Sequence, residues 1–230
     1  MEGLVQYLNP TSIIDSDHPD IAEFAERHAG GSGDAVEKAV RLYYAVRDGI
    51  RYDPYYPFYR PEHYRASVVL KKGRAFCIPK VSLLCAVGRA CGIPSRAGFA
   101  TVRNHFATRE LLEFLGSDLF VFHGFTEFFL EGKWVKATPA FNRELCERFG
   151  VAPLDFNGRE DSIFQPYDER NRRFMEYVEF IGSYADIPVE EIVAGFKGAY
   201  GNSRVESWID SYEKYGSIRR HRFDQESPIQ

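Results

Sequence analysis

The chain has 230 residues, of which 44% are hydrophobic and 27% charged, a composition typical of a globular protein. Its net charge of -4 argues against a nucleic-acid partner. No apolar run approaches membrane-spanning length, and the first dozen residues lack the basic start and apolar core of a signal peptide. We therefore expect a cytoplasmic protein without a membrane partner.

Four cysteines, at positions 77, 85, 91 and 146, have no paired spacing of the CxxC kind. They predict neither a zinc site nor a disulfide framework. The acidic segment 153–168 does not follow the spacing of a calcium-binding loop. We therefore expect no cofactor and no bound metal.

The N-terminal part of the chain predicts two amphipathic helices. The first runs from about Pro19 to His28 with Asp17 or Asp20 as its N-cap, and the second spans about 34–48. The segment 52–64, YDPYYPFYRPEHY, contains too much proline for regular structure. Its tyrosines could line a substrate cleft, but the pattern favours a loop packed on the surface.

The stretch from Gly73 to Arg96, GRAFCIPKVSLLCAVGRACGIPSR, predicts a helix that begins at Cys77. Apolar residues cover nearly its whole circumference, so the helix should be buried on all sides. Pro79 is tolerated in the first turn, and Gly92 ends the helix. A helix N-terminus favours a thiolate, so we expect a lowered pKa, a nucleophilic Cys77 and first-turn N–H groups that serve in an oxyanion hole. The alternative is that Cys77 is one more small buried residue.

After this helix the pattern predicts strands. Residues 96–102 alternate, and the segment 119–139 predicts two strands joined by a turn at 131–133. A helix followed by antiparallel strands indicates an α+β fold with the buried helix packed against the sheet. Beyond Phe141 the chain predicts mostly helix and loop, including helices at about 189–200 and 205–215.

His123 lies in the first strand of this hairpin among apolar neighbours. Alone, such a histidine is more often structural than functional. Beside a cysteine at a helix N-terminus, however, it has the placement needed for a thiolate–imidazolium pair, in which the histidine polarises the thiol and later protonates the leaving group. On the same face as His123, Glu127 could pair with Arg96.

Two separated motifs resemble the transglutaminase-like superfamily, in particular its bacterial cysteine-protease type. The segment 89–96, RACGIPSR, matches the end of the family's nucleophile helix. His123, Glu127, Gly132 and Trp134 match the second family block in order and spacing. The resemblance covers residues 73–139.

This resemblance implies a papain-like fold with a cysteine–histidine–aspartate triad, in which Cys77 is the nucleophile and His123 the base and then the acid. The chain departs from the family at Thr138, which stands at the aspartate position. A threonine can orient an imidazole but has no charge to stabilise its protonated form. Asn142 could substitute as the third member, and Cys77 and His123 could also form a working dyad.

The resulting hypothesis is an acyl-transfer enzyme that hydrolyses peptide or amide bonds in a peptide or protein substrate through a Cys77 thioester. The alternatives are a non-catalytic peptide-binding module, a transglutaminase and an amidase of the peptide N-glycanase type. We expect residues 1–230 to form a single transglutaminase-like domain. Its parts are an N-terminal helical region over 1–52, a catalytic core over 66–142 and a C-terminal helical and loop extension over 143–230.

Overall fold

The computed structural model of the protein describes residues 2–105, 107–168, 171–219 and 223–227. The α-helices in these ranges are α1 (Pro19–Ala29), α2 (Ala35–Gly49), α3 (Ala66–Lys72), α4 (Cys77–Ala90), α5 (Arg109–Leu115), α6 (Arg143–Phe149), α7 (Val189–Tyr200) and α8 (Asn202–Tyr215). The strands are β1 (Arg51–Tyr52), β2 (Arg74–Ala75), β3 (Ser95–Asn104), β4 (Leu119–Leu130), β5 (Lys133–Ala137) and β6 (Met175–Tyr184).

A four-stranded antiparallel sheet lies at the centre of the fold, with the strand order β5-β4-β3-β6. In the hairpin of β4 and β5, Phe128 lies opposite Val135, and across β3 and β4, Ala100 lies opposite His123. The short strands β1 and β2 form a separate parallel pair. Helices and an antiparallel sheet thus confirm the predicted α+β class.

Helix α4 passes through the core against one face of the sheet. Every residue from Ile78 to Arg89 is buried, as the sequence predicts. The approach to β4 is close because two glycines lack side chains. A Cβ on Gly88 would lie 2.6 Å from the Phe128 ring, and a Cβ on Gly124 would lie 3.3 Å from the Ile78 backbone. These glycines therefore set the distance between α4 and the sheet.

Strand β4 contains a bulge directly before His123. Ala100 pairs with His123 and Val102 pairs with Phe120, so β4 has one extra residue between the two pairs. Phe122 lies in this bulge with a φ of 55°. A left-handed conformation costs a non-glycine residue on the order of 1–3 kcal/mol, so the surrounding packing must hold the strand in this shape.

Besides the two-residue strands β1 and β2, four elements are absent from the sequence prediction, namely α3, α5, α6 and β6. The three helices have seven residues each, too few for a helical period to be recognised. β6 is an edge strand with most of its residues exposed or half-buried, so it lacks a clear apolar alternation. The prediction of helix and loop beyond residue 141 is therefore wrong for Met175–Tyr184.

The predicted helices at both ends of the chain are confirmed, and α7 has the predicted bounds. The N-cap of α1 is His18 rather than Asp17 or Asp20, because the His18 ring accepts a hydrogen bond from the Asp20 N–H at 3.2 Å. Asp34 caps α2 through the Val36 N–H. None of the helices in the described ranges is long and apolar enough to cross a membrane.

The tyrosine-rich loop over 52–64 has little regular structure, as predicted, but it is buried. Four of its tyrosines are at most 8% exposed, namely Tyr52, Tyr55, Tyr56 and Tyr64. Helices α5 and α8 contact the loop, with 5.0 Å between the ring centroids of Tyr55 and Phe114 and 6.1 Å between those of Phe58 and Trp208. The surface-packed interpretation is therefore wrong, since distant helices bury a segment whose local composition resembles that of an exposed loop.

Candidate active site

Cys77 is the first residue of α4, as the sequence predicts. Gly73 ends α3 in a left-handed conformation with a φ of 64°, and β2 then leads the chain to Cys77. Pro79 lies in the first turn, where no intrahelical hydrogen bond is lost. The half-buried thiol contacts the large hydrophobic cluster around α4 and also a smaller cluster that contains Ala100 and Phe125.

Opposing effects act on the Cys77 thiol. Burial is the largest and raises its pKa to about 11. Hydrogen bonds from the backbone N–H groups of Gly124, Ile78 and Cys77 itself lower the pKa, as does the charge of Lys80. The expectation of a lowered pKa is therefore wrong for the resting protein, because desolvation of the thiolate outweighs the helix N-terminus.

His123 is 5% exposed, and burial lowers its pKa to about 4. Its ring centroid lies 5.5 Å from that of Phe164 and 6.2 Å from that of Tyr177. Within the described part of the chain, its buried Nε2 has no hydrogen-bond partner. At neutral pH, His123 is therefore an uncharged imidazole and Cys77 an uncharged thiol.

Cys77 and His123, the two predicted residues, both line one cavity of about 70 Å³. The backbone connects them as well. The backbone N–H of Gly124, the residue after His123, is close enough to the thiol to lower the pKa of Cys77. The start of α4 and the middle of β4 therefore meet at one opening into the core.

Thr138 follows the end of β5 and is 1% exposed. Neither its buried hydroxyl nor that of Tyr177 on β6 makes a hydrogen bond of normal length and angle to any of the described residues. Burial raises the pKa of Tyr177 far above its usual value, while the nearby Thr138 hydroxyl opposes this rise. Where the resemblance implies an aspartate, the structure thus has two neighbouring uncharged hydroxyl groups, one of them on a ring beside His123.

Asn142 is 5% exposed and occupies the N-cap position of α6. Its Oδ1 accepts a hydrogen bond from the backbone N–H of Tyr52 at 3.1 Å, which links β1 to the start of α6. To act as the third member of a triad, Asn142 would have to accept a hydrogen bond from an imidazole N–H through this same oxygen, which already accepts one from Tyr52.

Lys80, which the sequence analysis does not single out, lies one turn after Cys77 and is 0% exposed. Its Nζ donates to the carbonyl oxygens of Arg47 at 2.8 Å and Ile50 at 2.6 Å, at the end of α2. Burial lowers its pKa to about 7. The sequence does contain a signal for this contact, namely a lysine in a helix whose other residues are mostly apolar. A buried lysine must find hydrogen-bond partners inside the protein.

Residues of the two matched motifs also contact one another across the sheet. Glu127 pairs with Arg96, as predicted, with 2.7 Å between Oε2 and Nε. The Arg96 guanidinium lies 4.0 Å from the centroid of the Trp134 ring. These contacts join β3, β4 and β5 on the side of the sheet that carries His123, which supports a structural role for Glu127.

The four cysteines are all free, and Cys85 and Cys146 are buried. In the part of the chain that the structure describes, no group of three or more His, Cys, Asp or Glu side chains is placed to hold a metal ion.

A thiol at the start of a core helix, packed against an antiparallel sheet that carries a buried histidine, defines a papain-like core. The family model of the transglutaminase-like superfamily matches residues 22–139. The chain belongs to this superfamily, and the match includes Cys77, His123 and Thr138.

A crystal structure of a protein from Cytophaga hutchinsonii, provisionally described as a cysteine protease, is similar to this chain with a TM-score of 0.51 and 15% sequence identity. The similarity covers 81% of this chain and 48% of that chain. This chain thus spans about half the length of that protein, and at this identity the similarity shows the fold alone. Among curated proteins, none matches the chain significantly.

Proposed function

We propose that the protein is a thiol-dependent acyl-transfer enzyme that hydrolyses peptide or amide bonds through a thioester on Cys77, with His123 as general base and then general acid. The observation that carries the proposal is the cavity that both side chains line, at the N-terminus of a core helix. Membership of the transglutaminase-like superfamily supports it, as does the fold shared with a protein provisionally described as a cysteine protease.

The first step starts from an uncharged pair, because burial raises the pKa of the thiol and lowers that of the imidazole. As the sulfur bonds to the substrate carbonyl carbon, His123 takes the thiol proton, so charge separates only when substrate is present. The backbone N–H groups of Ile78 and Gly124 lower the pKa of the thiol, so the same groups stabilise negative charge that develops beside the sulfur.

The intermediate then loses its amine. The carbon–nitrogen bond breaks, the protonated His123 gives its proton to the leaving nitrogen, and the acyl group remains on Cys77 as a thioester. His123 next takes a proton from water as the water attacks the thioester, and returns it to the sulfur as the acid leaves. With an amine in place of water the same steps are those of a transglutaminase, and with a glycosylated asparagine as substrate those of a peptide N-glycanase-type amidase.

The second candidate function is a non-catalytic module that binds a peptide at this cavity. The observation that favours it is the uncharged Thr138, because a protonated His123 has no carboxylate there to stabilise it. The lowered pKa of His123 points in the same direction.

We also propose that residues 1–230 act as one domain, with the parts at 1–52, 66–142 and 143–230 all contributing to the site. Two contacts support this. β6, from the C-terminal part, completes the sheet beside β3, and α7 and α8 contribute side chains to the cavity wall.

Turnover of a fluorogenic peptide-amide library, measured for the wild type, Cys77→Ala and Cys91→Ala, tests the enzymatic proposal. We expect Cys77→Ala to lower turnover by roughly a thousandfold or more, since no other group can form the thioester. Cys91, a half-buried free cysteine at the other end of α4, is the matched control and should retain full activity. A fluorescent amine added as acceptor separates transfer from hydrolysis.

Unchanged turnover in Cys77→Ala would refute the proposal. Peptide binding without turnover in the wild type would establish the binding-module function instead.

A further inference from the structure

The cavity beside Cys77 is lined almost entirely by apolar and aromatic side chains. Within the described part of the chain, none of its lining residues is an Asp, Glu, Lys or Arg. A charged ligand group would therefore lose its hydration there without gaining an ion pair. An apolar group would gain by leaving water.

One part of the cavity wall is formed by buried residues of α5, α8 and the segment after α8, namely Leu111, Trp208 and Ile218. The Trp208 ring stacks on Phe114 with 4.3 Å between the centroids, so aromatic packing holds this part of the wall together.

Another part of the wall comes from the bulge before His123, since Val121 and Phe122 line the cavity. The Tyr200 hydroxyl of α7 accepts a hydrogen bond from the Val121 N–H at 3.1 Å, so α7 holds the strained strand in place. Tyr200 and Val121 both line the cavity. The α7 and α8 part of the wall lies outside the family match at 22–139, so it belongs to this chain's own C-terminal part.

The volume sets the size of the group that fits. An apolar cavity of about 150 Å³ takes up benzene. The cavity here, at about 70 Å³, has roughly half that volume. A branched side chain of three or four carbons fits this space, whereas a phenyl ring needs more room.

We propose that this cavity binds a valine- to leucine-sized aliphatic side chain on the acyl side of the bond that Cys77 attacks. The inference rests on the proposed function and names its substrate class. The acyl side follows because Cys77 itself lines the cavity, so an acyl group bonded to its sulfur stays beside the cavity while the amine departs.

Covalent labelling with N-acetylated chloromethyl ketones tests this inference. The Cys77 sulfur displaces chloride from the ketone's methylene carbon, so a carbon–sulfur bond forms, a carbon–chlorine bond breaks, and the thiol proton passes to solvent. Ketones of glycine, valine, leucine, phenylalanine and glutamate differ only in the side chain beside the carbonyl. Rates of mass increase at Cys77, located by peptide mapping, then report which side chain the cavity accepts.

We expect the leucine and valine ketones to label Cys77 at least tenfold faster than the glycine and glutamate ketones. Val121→Phe, which fills the cavity, should bring the leucine-to-glycine ratio close to one. Val178→Phe is the matched control, since Val178 lies on β6 and is 52% exposed. Ile218→Phe, at another lining position, is a second filling variant in case Val121→Phe does not fold.

A leucine-to-glycine ratio near one in the wild type, or a ratio that neither filling variant changes, would overturn the inference. So would a phenylalanine ketone that reacts tenfold faster than the leucine ketone. If no ketone and no simple chloroacetamide labels Cys77, the proposed function fails. Ligand-observed NMR on Cys77→Ala then tests the side-chain preference of the cavity independently of catalysis. N-acetyl-leucinamide should bind more tightly than N-acetylglycinamide, and equal binding would overturn the inference.

Discussion

Replacing Thr138 with aspartate places a carboxylate beside the Tyr177 hydroxyl, near the His123 ring. Tyr177 can donate a hydrogen bond to the new carboxylate, since its buried hydroxyl makes no hydrogen bond of normal length and angle to any of the described residues. We expect Thr138→Asp to favour the protonated His123 and, through it, the Cys77 thiolate. Thr138→Asn, which has nearly the same shape as the aspartate and no charge, is the matched control.

The size of the effect follows from the distance between the charges. At a separation on the order of 5 Å and an effective dielectric constant of about 20, a carboxylate and an imidazolium attract each other by about 3 kcal/mol. At about 1.4 kcal/mol for each pKa unit, this raises the pKa of His123 by about two. The wild-type pKa of about 4 would thus return close to the usual value of histidine. Burial of the new carboxylate should reduce the unfolding free energy by about 1–3 kcal/mol.

The assay is the rate of Cys77 alkylation by iodoacetamide between pH 5 and 10, with peptide mapping to separate Cys77 from Cys91. Because burial raises the pKa of Cys77 to about 11, the wild-type rate should rise about tenfold per pH unit up to pH 9, without a plateau. Thr138→Asp should react roughly tenfold faster than Thr138→Asn near pH 6.5. Identical pH profiles for the two folded variants would refute this reasoning.

Three further predictions concern stability, measured by urea unfolding. Gly124→Ala should lose about 1–3 kcal/mol, because its Cβ would lie 3.3 Å from the Ile78 backbone, whereas the control Gly198→Ala, with nothing within 4 Å, should not destabilise. Between pH 6.5 and 4, His123 takes up a proton in the unfolded chain but stays neutral in the folded protein, where its pKa is about 4. Wild-type stability should therefore fall by up to about 3 kcal/mol as the pH drops through this range, and an equal fall in His123→Gln would contradict this cause. Between pH 7 and 9, folded Lys80, with its pKa of about 7, loses a proton that the unfolded chain keeps. Stability should rise there by up to about 3 kcal/mol, and the same rise in Lys80→Met would exclude this explanation.

Local patterns in the sequence predicted the elements that carry the candidate site. The apolar circumference of 77–90 and the flanking Pro79 and Gly92 predicted α4 and its start at Cys77. Alternating residues and the turn at 131–133 predicted the hairpin that contains His123. These predictions succeeded because helix and strand periods are local properties of the chain.

Features that depend on distant segments were not predictable in the same way. The loop over 52–64 is buried because α5 and α8 pack on it, and nothing in its own composition indicates those partners. Tyr177 lies beside His123 because β6 pairs with β3, more than 70 residues away along the chain. The Asn142 contact with Tyr52 likewise joins segments 90 residues apart.

The sequence by itself determined the family, the α+β class and the placement of Cys77 at a helix start and of His123 in a strand. Only the tertiary structure decided the electrostatic state of that pair, because the desolvation that makes Cys77 a thiol and His123 a neutral imidazole comes from residues packed around both. Tertiary packing also decided the size and the lining of the cavity. Its walls come from seven separate parts of the chain, and their distance from one another depends on how the helices pack against the sheet.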